Sequence, residues 1–317
     1  MVMNKIKSFF CLVRWPNLLM TAMMMLLVYH CVMSPLAYYA AVDVFPPSHT
    51  FILLVISLIF IVAGGYVIND YFDVETDKLN KPDKVLIPNV FSQKEAKLFY
   101  VILTFIGLLS GLVSCIMVFG VKFYILFAVI VLITCLLYSY SSTYKRKLIW
   151  GNLIVSFLVA VAVFLPYLFE ILYLSDNLLM LSTCKELAKN IVYFVLIYSV
   201  FAFVLTFIRE IVKDAEDAEG DGKTHCRTMP VVYGLSVTKT VLYLLVLLLL
   251  MLLSYYGLLL FELKLFVAFS CVAIVGLSAL FFIFKIYRSK ERKDFRLLSF
   301  LSKVMMFIGL LSMLFLK

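Results

Sequence analysis

A chain of 317 residues that is 64% hydrophobic and only 15% charged does not read as a soluble enzyme, since soluble domains carry about 25% charged residues. Its mean hydropathy of +1.07, with 29 Phe and 19 Tyr, fits side chains that face lipid tails and membrane interfaces. The net charge of +9 calls for no nucleic-acid partner, because basic loops gathered on one side of a membrane give the same excess.

In chain order, residues 1–15 combine lysines with an apolar run and so mimic a signal peptide. No small-residue cleavage site follows, and the segment reads as an amphipathic lead-in. Nine apolar stretches come next, at 18–33, 51–68, 98–119, 123–140, 153–173, 191–208, 241–256, 265–284 and 297–316, the first interrupted by His30. Most approach the ~20 residues that cross a hydrocarbon core as helix. Helix is the default because unpaired backbone groups are costly in lipid, and the runs are too long for barrel strands. The expected fold is all-α: a polytopic membrane protein, a bundle of nine transmembrane helices in one membrane-embedded domain over 1–317. With a cytoplasmic N-terminus and alternating spans, 23 of the 28 Lys and Arg fall on the cytoplasmic side and only Lys122, Lys185, Lys189, Lys264 and Lys317 fall outside. That bias predicts the N-terminus in the cytoplasm and the C-terminus outside.

The seven cysteines contain no CxxC pair and read as small apolar fillers, not as a disulfide or zinc set. His30 and His49 read as structural or interfacial; His225 lies in a charged loop.

The acids are not spread evenly. Of 19 Asp and Glu, five lie in 69–83 and six in 210–221, at the ends of the second and sixth stretches and so on one predicted side. Acid at a membrane edge makes a functional site the default reading. In GGYVINDYFDVETDK, a continuing helix puts Asn69, Asp73 and Asp77 on one face, with Asp70 close by. Gly64 and Gly65, a turn earlier, allow a neighbouring helix to approach. In REIVKDAEDAEGD, Glu210, Asp214, Asp217 and Asp221 form one helical stripe, while Glu216 and Glu219 fall off it toward water. Stacked carboxylates repel by a few tenths of a kcal/mol per pair, so something offsets them. Oxygen-rich stripes without His or Cys suit hard divalent cations, and Mg²⁺ typically binds through one or two carboxylates plus phosphate oxygens. Cations flank both rows: Lys78, Lys81 and Lys84 the first, Arg209, Lys213, Lys223 and Arg227 the second. A third segment, YSSTYKRKLIWGN, supplies Tyr140, Ser141, Lys145 and Arg146.

At these residues the sequence resembles the UbiA superfamily of intramembrane prenyltransferases. Asn69, Asp70, Asp73 and Asp77 fill a pattern similar to that family's NDxxDxxxD motif. Asp217 and Asp221 fill one similar to its DxxxD motif, with Glu210 and Asp214 upstream. Tyr140 and Lys145, Gly151-Asn152 and Arg14-Trp15-Pro16-Asn17 also look like family positions. The details look most like the digeranylgeranylglyceryl phosphate synthase-like branch, which alkylates a glycerol phosphate ether lipid. Lys84-Val85-Leu86-Ile87-Pro88-Asn89 departs from the family's RPIPSG-like run near the expected mouth, and Met229 stands where Leu is usual.

The resemblance implies transfer of a polyprenyl group from an allylic, geranylgeranyl-type diphosphate to a small acceptor such as geranylgeranylglyceryl phosphate. It implies Mg²⁺ as cofactor, held by Asn69, Asp73, Asp77, Asp214, Asp217 and Asp221. Lys84, Lys145 or Lys223 would assist the leaving diphosphate, and Asn17, Ser141, Arg209 and Lys213 would bind substrate. The Tyr140 ring would face the allyl cation, worth ~2 kcal/mol or more when desolvated, and Asp70 or Glu210 would take the acceptor's proton. Aromatic or chlorin acceptors stay open. A secondary transporter fits less well, because its acids usually lie near the midplane on broken helices. The contiguous DGxxAR…GxxxDxxxD pattern of CDP-alcohol phosphotransferases is not present.

Overall fold

The computed structural model describes residues 5–33, 48–80, 82–174, 185–224 and 226–316. Lys81, Cys184, His225 and Lys317, and the side chain of Lys84, lie outside them. All regular structure among the described residues is helical. A short α1 (Lys5–Leu12) leads into α2 (Trp15–Met33), whose last turns from Val28 to Met33 are π-helical. Then come α3 (Ser48–Phe72), α4 (Val74–Asn80), α5 (Gln93–Phe119), α6 (Tyr124–Ser142) and α7 (Trp150–Leu174). The rest is α8 (Lys185–Lys223), α9 (Met229–Glu262), α10 (Phe266–Arg288) and α11 (Arg292–Ser312). Nine of the described helices are long and apolar enough to cross a membrane, as the nine stretches predict. His30 does not break its helix; it sits within the π turn.

The chain forms two compact units. The first comprises residues 1–25, 42–145 and 165–185. Here α3 packs on α5 and α6, and the closest approach is made by glycine. A Cβ on Gly107 would lie 2.7 Å from Ile61 Cγ1 and 2.9 Å from the Ser57 carbonyl oxygen; one on Gly111 would lie 2.6 Å from Ser57 Oγ. Gly64 faces Thr104 of α5 and Gly65 faces Leu137 of α6, so the expected close approach is met from two sides. Ser114 Oγ donates to the Thr50 carbonyl at 2.8 Å. A second knot, of Leu12, Val13, Ala63, Val67, Val74, Ile87, Phe91, Ala96 and Leu103, ties α1 and the chain before α5 to the acid-bearing end of α3. Ser92 and Glu95 start α5 with a reciprocal capping box, a local stabilisation of about 1 kcal/mol.

The second unit comprises residues 26–41, 146–164 and 186–317. Helices α9, α10 and α11 pack in sequence, and the π turn of α2 meets Met313–Phe315. The buried Tyr256 hydroxyl donates to Tyr198 Oη at 3.0 Å, and Tyr198 shares a 2.9 Å bond with Ser312 Oγ. That chain of hydroxyls ties α9, α8 and α11 together and gives both buried phenols, Tyr198 and Tyr256, a partner. Near its start α9 bends at Gly234, whose φ of +78° is open to glycine at little cost.

Helix α8 positions the second acidic row. Its 39 residues give a rod of roughly 58 Å at 1.5 Å per residue, about twice a ~30 Å hydrocarbon core. The apolar stretch ends near Ile208, yet the helix runs on to Lys223. The row from Glu210 to Asp221 therefore rides on a rigid extension of a span, not on a loop.

Candidate active site

The first row is built at the end of α3. The helix formally stops at Phe72 and restarts at Val74, with Asp73 at the junction. Asp73 N still bonds the Asn69 carbonyl at 3.0 Å and Asp77 N bonds the Asp73 carbonyl at 2.8 Å. Helical register thus survives, and Asn69, Asp73 and Asp77 keep the common face that their spacing predicts. Asn69 and Asp73 are buried and Asp77 is half-buried.

Two cations from other parts of the unit meet this row. Asn69 Nδ2 donates to Asp73 Oδ2 at 2.8 Å. Lys145 Nζ, from the short turn between α6 and α7, donates to the same Asp73 oxygen and to Asn69 Oδ1 at 3.2 Å. Burial works against the Lys145 ammonium, but Asp73 foremost, with Tyr140 and Asp77, outweighs it and holds its pKa above the ordinary lysine range. One turn away, Arg14 Nη2 donates to Asp70 Oδ1 at 2.7 Å, with its guanidinium 4.8 Å from the centre of the Tyr66 ring. Asn17 Nδ2 donates to Tyr66 Oη at 3.1 Å. Arg14 adopts a φ of +52°, a conformation that costs a non-glycine residue about 1–3 kcal/mol and is held here by its ion pair. Ser141 is buried and spends its hydroxyl on the Leu137 carbonyl of its own helix, at 3.0 Å.

The second row belongs to the second unit. Glu210 is buried and meets Arg209 Nη1 at 2.5 Å and Lys213 Nζ at 3.8 Å. Asn152 Nδ2, near the start of α7, donates to Asp214 Oδ2 at 2.7 Å. Arg292 Nη2 of α11 lies 3.3 Å from Asp217 Oδ1, and Arg296 Nε lies 3.1 Å from Glu216 Oε1. Asp221 is buried where the helix turns back, its carbonyl accepting from Cys226 N at 2.9 Å. The expectation that Glu216 faces water is corrected: its side chain is 9% exposed against Arg296. Helix α11 covers that side of α8, which the stripe's own periodicity cannot foresee. Glu219 does face water, and it takes Lys223 with it at 2.7 Å, so the latter is paired at the surface.

The structure thus gathers Asn69, Asp73 and Lys145, and separately Asn17 with Arg14, Asp70 and Tyr66; within α8 it gathers Arg209, Glu210 and Lys213. Sequence reasoning missed Arg292 and Arg296, whose only signal, a basic start to the ninth span, is what any cytoplasmic loop shows.

The donor set fits Mg²⁺. Its atoms are oxygens, and Asn69 Oδ1 and Asp73 Oδ2 already converge on one positive charge, the Lys145 ammonium. Among the described residues no three Asp, Glu, His or Cys side chains form a preassembled metal cluster. Mg²⁺ takes one or two carboxylates and completes its shell with water and phosphate oxygens.

A profile of the UbiA prenyltransferase family matches residues 17–310. The chain is 31% identical over 224 residues to the digeranylgeranylglyceryl phosphate synthase of Hyperthermus butylicus, covering 71% of this chain and 67% of that one. It is 30% identical over 238 residues to the synthase of the same name from Sulfolobus acidocaldarius, covering 74% and 73%. A solved structure concerning digeranylgeranylglyceryl phosphate synthase in membranes matches with a TM-score of 0.66 at 24% identity, over 98% of each chain. A UbiA homolog from Archaeoglobus fulgidus bound to GPP and Mg²⁺ matches with a TM-score of 0.57 at 16% identity, over 96% of this chain and 99% of that one. At these identities the structural likeness speaks to the fold.

Proposed function

The chain belongs to the UbiA prenyltransferase family, an integral membrane protein with nine apolar helices among its described residues, and from that premise we propose its substrates and machinery. It moves a geranylgeranyl-type group from its diphosphate to the glycerol-phosphate ether lipid geranylgeranylglyceryl phosphate. The whole chain works as one membrane domain in the cytoplasmic membrane, with the active site toward the cytoplasm and the C-terminus outside. The sequence relatives named above support this acceptor class. The observation that carries the reading is the convergence of Asn69 and Asp73 on the Lys145 ammonium at the end of a span.

Breaking the allylic C–O bond places negative charge on the departing diphosphate and positive charge on the prenyl carbon. Mg²⁺ supplies Lewis-acid neutralisation of that leaving group; Asn69, Asp73, Asp77, Asp214, Asp217 and Asp221 would hold it. The Lys145 ammonium offers its positive charge to the diphosphate oxygens, and Lys84 would assist. Tyr140 presents an aromatic face to the allyl cation. Asp70 or Glu210 takes the acceptor's proton; each is paired with a guanidinium, Asp70 with Arg14 and Glu210 with Arg209. The prenyl tail needs only apolar surface, at roughly 0.8 kcal/mol per methylene.

The test incubates purified protein, Mg²⁺ and labelled geranylgeranyl diphosphate with geranylgeranylglyceryl phosphate, dihydroxynaphthoate, 4-hydroxybenzoate and a chlorophyllide. Label is expected in the ether lipid; transfer to an aromatic acceptor alone refutes the choice.

A further inference from the structure

We propose that Lys145 is a resident counter-ion of the first acidic row, one that keeps free divalent metal out and yields only when metal arrives together with diphosphate. The inference rests on the function proposed above and adds an order of loading to it.

The geometry leaves little alternative for a metal that uses Asn69 and Asp73. Lys145 Nζ already sits on both Asn69 Oδ1 and Asp73 Oδ2, and Asn69 Nδ2 takes a further share of that Asp73 oxygen. A divalent ion on those oxygens lies about 2 Å from them, which brings it against the ammonium. Two cations cannot share the pair without strong repulsion in a site where the Asp73 side chain is only 6% exposed. Asp70, beside it, is compensated in the same way, held by Arg14 at 2.7 Å. Charge at Asp70 and Asp73 is therefore balanced pair by pair, and free metal gains little on those oxygens.

Diphosphate changes the balance. It offers the ammonium oxygens of its own, so Lys145 can leave Asp73 without losing its counter-charge. Lys145 is suited to this exchange, because its charge rides a flexible four-carbon stem. It stands in the short turn of Tyr144–Arg146 with 29% of its side chain exposed.

Equilibrium dialysis at fixed free Mn²⁺, with and without inorganic diphosphate, tests this on the full chain in detergent. Wild type is expected to retain Mn²⁺ about tenfold more tightly with diphosphate than without it. Lys145→Gln is expected to bind Mn²⁺ alone about tenfold more tightly than wild type, and to show a smaller gain on adding diphosphate. Lys145→Arg keeps the charge and is expected to refuse free Mn²⁺ as wild type does, which separates charge from a general loss of structure. If wild type binds Mn²⁺ with diphosphate but Lys145→Gln binds free Mn²⁺ no better, the counter-ion role is overturned and the prenyltransfer reading stands. If no protein binds Mn²⁺ in either condition, both fall.

Discussion

Asp73 Oδ2 accepts from Asn69 and Lys145 at once, and this shared oxygen makes the residue hard to replace. Asp73→Ala is expected to lower turnover at least ~10²-fold, on the scale of losing a charge-stabilising group, and Asp217→Ala likewise. Both should elute as folded monodisperse protein in detergent; full activity in both would remove the metal-binding role. The Lys145–Asp73 pair also bears on stability. Lys145→Gln leaves a buried carboxylate short of its partner and should cost about 1–3 kcal/mol, less than a fully buried pair because the lysine is partly exposed. The folded-state pKa of Lys145 is raised, so its contribution is fully present below the unfolded lysine value of about 10.4. It is lost only as pH climbs through the raised value. The melting difference between wild type and Lys145→Gln should thus stay flat from about pH 6 to about pH 9. A difference that collapses near neutrality would mean another group controls it. At this scale the sequence discloses the acids by their spacing but not their partners. Arg14, Asn152, Arg292 and Arg296 reach Asp70, Asp214, Asp217 and Glu216 across 56 to 80 residues; Arg14 and Asn152 stand at positions that look like the family's, whereas nothing local marks Arg292 and Arg296.

Among the helices, the contact of α3 with α5 depends on hydrogen atoms where side chains would be. Gly107→Ala pushes a methyl into the Ser57 carbonyl and the Ile61 amide, at 2.9 and 3.0 Å, and neither backbone atom can swing aside. The substitution should destabilise by about 1–3 kcal/mol. Gly276→Ala in α10, where a Cβ meets nothing within 4 Å, should be neutral or gain up to about 1 kcal/mol from helix propensity. Unfolding midpoints in detergent compare the two, and an equal response would discount the tight contact. Gly64 and Gly65 were readable as contact points because they precede a charged motif; Gly107 and Gly111 sit in an unbroken apolar run that reads only as membrane. The reach of α8 past its apolar stretch was hidden too. Hydropathy reports where lipid ends, while a helix ends only where its backbone bonding does.

For the molecule as a whole, composition alone separates lipid-facing from polar segments, since no water is available to rescue an irregular backbone in the bilayer. Nine spans and two acidic rows could therefore be read from the sequence, though the burial of Glu216 beneath α11 could not. Orientation follows from where lysine and arginine fall, and it can be checked directly. On a cysteine-free background, Lys147→Cys should be shielded in intact cells from a membrane-impermeant maleimide, whereas Lys264→Cys should react. Both positions are exposed, and three predicted spans lie between them. Labelling of both from outside would reverse or break the proposed topology.

The two rungs from Arg292 and Arg296 to Asp217 and Glu216 give α11 a stake in the proposed chemistry without a motif residue of its own. A stop codon just after α10 would leave every motif residue intact and still strip Asp217 and Glu216 of these two braces. Such a truncation should thus inactivate as surely as a lesion in the motif itself.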